Sequence, residues 1–262
     1  MIFLANVGNT NLLYGLYHGK IIASERFPMA DLPARQDIEA LYRSFLKKYR
    51  LSPGQIEGTV LSSVVPEKTP LVLKALKNCF PLEPLLFSDR TVWDFDRSAY
   101  SGILGTDRLL CCQAALKKYK PPFLVIDCGT ATTLNVMDRS GSFLGGVILP
   151  GVFTGIQALT AKASQLDPVP FFHPESVIGK NMAEGILSGA TYGTAALLEG
   201  LVMRIQKELK TEVSVILTGG NAPVIIPHFT LTLHHEPDLL LQGLAVKFME
   251  SKTELQNKEA IL

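Results

Sequence analysis

Three short stretches of the chain carry residue types that suit phosphate chemistry. In ANVGNTN, residues 5–11, an apolar run ends at Asn6 and Val7, and Gly8, Asn9, Thr10 and Asn11 form a small polar turn before the apolar Leu12 and Leu13. A tight hairpin loop of this composition offers backbone N–H groups and hydroxyls to phosphate oxygens, although ordinary hairpin turns draw on the same residues. DCGTATT, residues 127–133, repeats the pattern, with Asp127 falling on Asn6, Gly129 on Gly8 and Thr130 on Asn9. Thr218-Gly219-Gly220 follows the strand-like VSVIL; glycines there let a backbone pass beside an adenosine, or merely end the strand. Two equivalent loops after equivalent strands favour a cleft that holds ATP. A fourth stretch, Gly105-Thr106-Asp107-Arg108, opens an apolar-periodic segment. Asp107 reads either as a helix cap or as an acceptor for a hydroxyl proton, and Arg108 beside it offers a two-pronged grip on a carboxylate.

The elements that must hold these residues follow from periodicity. Residues 1–7, 10–17 and 20–28 read as strands joined by the GNTN loop and a His18-Gly19 turn. Residues 36–49 set Ile38, Leu41, Tyr42, Phe45, Leu46 and Tyr49 at three- and four-residue steps, the mark of an amphipathic helix. A strand at 59–65, a helix at 71–79, a strand at 85–88 and a helix at 107–119 follow. Then the opening returns: PPFLVIDCGTATTLNVMDRSGSFLGGVILPG has a strand, a small polar loop, a second strand, a Ser140-Gly141 turn and a third strand. A long helix at 183–208, a strand at 213–218 and a helix at 238–250 complete the second copy. The expectation is an α/β protein, a duplicated actin-like fold of the ribonuclease H-like, sugar-kinase, Hsp70 and actin superfamily. It would place a central cleft between halves 1–115 and 116–262.

Bulk properties narrow the function classes. With 25 Lys and Arg against 24 Asp and Glu in 262 residues, no global field recruits nucleic acid. The clusters Lys47, Lys48, Arg50 and Lys117, Lys118, Lys120 close apolar-periodic segments and read as solvated helix ends. The sequence shows no secretory leader and no apolar run near the ~20 residues of a membrane span, so a cytoplasmic protein is expected. Cys79, Cys111, Cys112 and Cys128 show no ligand spacing and read as free thiols.

The chain resembles the type III pantothenate kinases over nearly all its length. The matching stretches are VGNTN at 7–11, SSVVPE at 62–67, GTDRL at 105–109, DCGTATT at 127–133 and GGVILPG at 145–151. IGKN at 178–181, GATYG at 189–193, LTGGNAP at 217–223 and PDLLLQGL at 237–244 follow in the same order. The resemblance implies a homodimer that uses ATP, Mg²⁺ and a monovalent cation, K⁺ or NH₄⁺, to phosphorylate pantothenate in the first step of coenzyme A synthesis. By motif it implies that Asn6, Val7, Gly8, Asn9, Thr10, Asn11, Leu12 and Leu13 form an ATP loop and that Thr130 touches the nucleotide. Gly105, Thr106, Asp107 and Arg108 would hold pantothenate, with Asp107 the catalytic proton acceptor and Asp127 at the monovalent-cation site. Three positions depart from the family pattern. Asn6 stands where the family has Asp, and Met182 where it supplies a substrate-binding Thr. Ser98 or Tyr100 falls where it has a substrate-contacting Tyr. An amide brings no charge to a metal and a thioether donates no hydrogen bond. The alternative is therefore a nucleotide-binding homologue that regulates, or that phosphorylates another small hydroxyl compound.

Overall fold

The computed structural model describes residues 1–31, 34–162 and 169–259. Its strands are β1 (Ile2–Val7), β2 (Asn11–Tyr17), β3 (Ile21–Pro28), β4 (Gly58–Ser63), β5 (Leu85–Phe87), β6 (Phe123–Cys128), β7 (Ala131–Met137), β8 (Phe143–Pro150), β9 (Ser214–Thr218) and β10 (His234–His235). The helices are α1 (Arg35–Lys48), α2 (Thr69–Cys79), α3 (Thr106–Lys118), α4 (Val152–Lys162), α5 (Met182–Ser188), α6 (Thr194–Leu209), α7 (Ala222–Ile225) and α8 (Leu239–Glu259). Two sheets result, ordered β3-β2-β1-β4-β5 and β8-β7-β6-β9-β10. In each, the first three strands are antiparallel and the first, fourth and fifth run parallel. This is the duplicated actin-like α/β fold.

The repeat extends to irregularities that the sequence does not display. The second strand of each sheet slips register against the third at one place, between Leu16 and Tyr17 and between Val136 and Met137. Counted from the strand starts, the two bulges are equivalent, and both precede a turn closed by a positive-φ glycine, Gly19 or Gly141. A bulge twists its strand locally, so both third strands leave their sheets alike.

The chain divides into two compact units, one of Met1–Asp94, Ser101–Lys117 and everything from Asp238, the other of Phe95–Tyr100 and Lys118–Pro237. In the first unit β1 is buried on both faces. Phe3, Ala5 and Val7 pack with Tyr42 and Phe45 of α1 and Leu76 of α2, whereas Ile2 and Leu4 pack with Leu110 of α3 and Leu241, Leu244 and Phe248 of α8. The units thus differ from a single cut at residue 115, because α8 returns to the first sheet. Gly58 and Gly243 permit that return: a β-carbon on Gly58 would collide with the Phe248 ring, and one on Gly243 with the Leu110 carbonyl. Buried Lys247 of α8 lies 2.7 Å from Glu250, and Lys117 of α3 reaches Glu250 at 2.8 Å and Asp94 at 2.6 Å, tying the two helices together.

In the second unit Leu124, Ile126 and Cys128 of β6 share a core with Val152 and Ile156 of α4, Leu187 of α5 and Leu198 and Val202 of α6. Helix α4, absent from the sequence-based expectation, is short and rich in Thr and Gly, so its period is weak. Helices α5 and α6 join through a π turn, Gly189–Gly193, into one helix, Met182–Leu209. By length and composition that helix could cross a membrane, although no apolar run of that size was expected. Helices inside water-soluble proteins pass the same measure, and Glu184 and Glu199 interrupt this one.

Gly243→Ala should push α8 off α3 and lower unfolding free energy by about 1–3 kcal/mol, since backbone cannot yield as a side chain would. Urea denaturation checks this, and an unchanged midpoint would contradict the close crossing.

Candidate active site

The candidate residues Asn6 and Asp127 each lie near the end of the central strand of their own sheet. Strand β1 is bonded to β2 on one side and β4 on the other, with Asn6 opposite Leu13 and Ser62. It alternates faces, so Asn6 lies on the Ile2 and Leu4 side, the side covered by α3 and α8. Asn6 is buried, and its Oδ1 accepts the Ser62 hydroxyl at 2.7 Å. The loop beyond is closed by Gly8 N–H donating to Asn11 O at 3.0 Å, and Thr10 O accepts from Met29 N at 2.8 Å. Asn9 and Thr10 are exposed, whereas the side chains of Val7, Leu12 and Leu13 are core and leave only backbone for a ligand.

The second loop is built alike but is one residue shorter. Gly129 N–H donates to Ala131 O at 3.1 Å, so exposed Thr130 stands for the Asn9–Thr10 pair rather than for Asn9 alone. Three residues that the sequence reading did not single out pin this loop. Thr130 O accepts from Gly151 N at 2.9 Å and from the Thr154 hydroxyl at 2.7 Å. Asn221 donates its N–H to Cys128 O at 2.8 Å and its side-chain amide to Gly129 O at 2.9 Å. The LPG and GGNAP motifs held the signal, a glycine at each strand end, but only pairing shows what those glycines touch. A β-carbon on Gly151 would strike the Gly129 carbonyl, and one on Gly219 would strike Asp127 Oδ1. Gly219 has φ +96°, a second reason for glycine.

Asp127 is half-buried and occupies in β6 the place of Asn6 in β1, opposite Thr133 and Thr218 as Asn6 is opposite Leu13 and Ser62. Its carboxylate is a hard oxygen donor, the kind that suits a hard cation. Among the described residues no three His, Cys, Asp or Glu side chains group as a metal site. Asn6 is neutral and its oxygen already accepts from Ser62, so this strand end supplies no carboxylate of the kind that Mg²⁺ sites use.

At the start of α3, Asp107 Oδ1 accepts the N–H of Arg108 at 2.9 Å, and Thr106 and Arg108 are buried. A β-carbon on Gly105 would lie 2.5 Å from Asp107 Oδ1, so glycine lets the carboxyl fold back over its own helix end. Burial raises the Asp107 carboxyl above the ordinary carboxylate range, against the lowering pull of the Arg108 N–H and guanidinium. A carboxylate whose proton affinity is raised by burial suits proton acceptance.

IGKN proves to be a helix start: Asn181 accepts from Glu184 N at 2.9 Å, and Glu184 accepts from Lys180 N at 2.7 Å. Met182 follows, 62 % exposed, and borders an apolar cavity of about 500 Å³ with Val152, Ile156, Leu159 and Ile186. Ser98 is turned onto Asp96 at 2.8 Å, and the Tyr100 ring packs edge-on to Phe143 at 5.6 Å, in the second unit.

The fold defines the class first. Over 96 % of this chain and 99 % of the other, it matches a Campylobacter jejuni protein assigned to the Baf family of transcriptional activators, with a TM-score of 0.60 at 18 % identity. It also matches the activator of 2-hydroxyisocaproyl-CoA dehydratase from Clostridium difficile, solved with bound ADPNP. That match has a TM-score of 0.59 at 13 % identity and covers 98 % of this chain and 97 % of the other. Sequence then gives the family. The profile of the type III pantothenate kinases matches residues 2–204, and the enzyme of that name from Frankia casuarinae is 34 % identical over 95 % of this chain and 98 % of its own. The chain belongs to the type III pantothenate kinase family.

Gly219→Ala should lower stability by at least about 2 kcal/mol, through overpacking against Asp127 and an unfavourable positive φ. Thermal melting should show the loss, and a variant as stable as wild type would mean the loop has other room to move.

Proposed function

We propose that the protein phosphorylates the primary hydroxyl of pantothenate with ATP, opening coenzyme A synthesis. The observation that carries this reading is GTDR as the first turn of α3, where a burial-raised Asp107 sits beside Arg108. Pantothenate bears a carboxylate that suits Arg108 and a hydroxyl whose proton suits Asp107. Gly105 and Thr106 complete that end of the site, and Met182 brings an apolar side chain where the resemblance implies a hydrogen-bonding Thr. In this reading the 6–13 loop and Thr130 bind ATP, and Asp127 holds K⁺ or NH₄⁺. Mg²⁺ rides on the nucleotide phosphates, without a ligand from the first loop. Transfer then depends on positioning and on charge around the phosphates. Four buried free thiols accord with work in a reducing cytoplasm.

Assembly as a homodimer is part of the same reading. Helix α6 buries Ala195, Leu198 and Val202 but leaves Leu197 and Met203 largely exposed, and β-carbons on Gly185, Gly189 and Gly193 would meet open space. A second copy would cover that face. Light scattering at micromolar concentration should give twice the chain mass, and a stable monomer would overturn the dimer.

Asp107→Asn should reduce pantothenate-dependent ADP release by about 10²–10⁴-fold, the usual worth of a general base. The same variant should melt higher than wild type near neutral pH. The folded carboxyl has the raised pKa, so stability falls as pH rises through the window above the ordinary Asp value of 3.8. Asn carries no such penalty, and the gap should close below that value. An Asp107→Asn enzyme with full turnover would remove the proposed base. ATP binding by wild type without turnover of pantothenate would favour the regulatory or other-substrate reading.

A further inference from the structure

The two ends of the Asn6 amide face different surroundings. Oδ1 takes the proton of the fully buried Ser62 hydroxyl, across the parallel pairing of β1 with β4. Nδ2 lies on the Gly8 side, 3.9 Å from where a β-carbon of that residue would stand, and among the described residues it has no hydrogen-bond acceptor. Asn6 is only 5 % exposed as a residue, yet Nδ2 is not a fully enclosed donor and stays open to a partner from outside. As placed, the Ser62 hydroxyl donates its proton to Oδ1; a turned amide would offer that hydroxyl N–H groups instead and aim an oxygen lone pair at the loop. The second unit offers an internal comparison. There a hydroxyl residue, Thr218, again stands opposite the strand-end position, but that position is the carboxylate Asp127. The hydroxyl partner is common to both units; the charge at the strand end is not.

A donor and a carboxylate select opposite ligands. An N–H bonds a phosphate oxygen, and bonds to such charged acceptors are the stronger ones. A divalent cation wants the oxygen lone pair that Asn6 has turned away. We propose that Ser62 is a positioning residue that locks Asn6 with its N–H toward the first loop. That loop then grips a nucleotide phosphate oxygen directly and needs no divalent cation there to hold the nucleotide. The inference rests on the ATP-binding reading above.

Equilibrium binding of ATP, measured by calorimetry in Mg²⁺ and again in EDTA, tests it through the ratio of the two dissociation constants. Wild type should change by less than about threefold between the media. Asn6→Asp should weaken at least about tenfold in EDTA, because a carboxylate facing the triphosphate repels it unless a cation lies between. Ser62→Ala should move the ratio from the wild-type value toward that of Asn6→Asp. Ser62→Thr should keep the wild-type ratio, as Thr218 fills the matching register in the second unit. Each ratio comes from one preparation, so a general loss of stability does not move it; if Ser62→Ala does not fold, Ser62→Cys replaces it. A wild type as dependent on Mg²⁺ as Asn6→Asp, or Ser62→Ala with the wild-type ratio, overturns the inference and leaves ATP binding standing. Failure of every variant to bind ATP in either medium brings down the nucleotide reading itself.

Discussion

The two candidate phosphate loops depend on two strands that have no free edge. Strands β1 and β6 are each hydrogen-bonded on both sides, antiparallel to a hairpin partner and parallel to a crossover strand. Most of their side chains are buried as well. Such a strand can meet a ligand only where it leaves the sheet, since elsewhere its backbone groups are paired and its side chains are core. Asn6 and Asp127 occupy those exits, and the loops beyond them hold the exposed Asn9, Thr10 and Thr130.

The second loop shows how tightly such an exit is set. Its carbonyls are bonded from two directions, by Gly151 with Thr154 and by Asn221, and glycines at both approaches bring the strand ends within backbone contact. The first loop carries fewer constraints of this kind, and its strand-end side chain is held instead by one buried hydroxyl, Ser62. The duplicated scaffold therefore offers two loops of like geometry and unlike charge, one ending in an amide and one in a carboxylate.

Charge placement at α3 follows the same economy. Asp107 uses one oxygen to accept its neighbour's N–H at the start of the helix, where the helix field favours a carboxylate, while burial resists ionisation. Those opposing influences leave the carboxyl with a raised affinity for a proton. The carboxyl that the sequence offers as a proton acceptor is thus also bonded at the helix start.

The sequence by itself determined the duplication, most elements to within a residue or two, and the residue types at the strand exits. It could do so because a period of two or of 3.6 is local, and because glycine-rich turns announce themselves. The long helix near 183–208 was legible, but not its π turn, which preserves the period nearly enough to hide. Helix α4 was missed because Thr154, Gly155 and Thr160 dilute its apolar stripe. Only the tertiary structure decided that α8 belongs to the first unit, since an amphipathic helix does not say which sheet it will cover. Likewise, no local pattern joins Ser62 to Asn6, or Gly151 and Asn221 to the second loop. Those partners are separated by tens of residues and meet only through strand pairing. The sequence pointed to the candidate groups, and the register of the sheets decided which way those on the strands face.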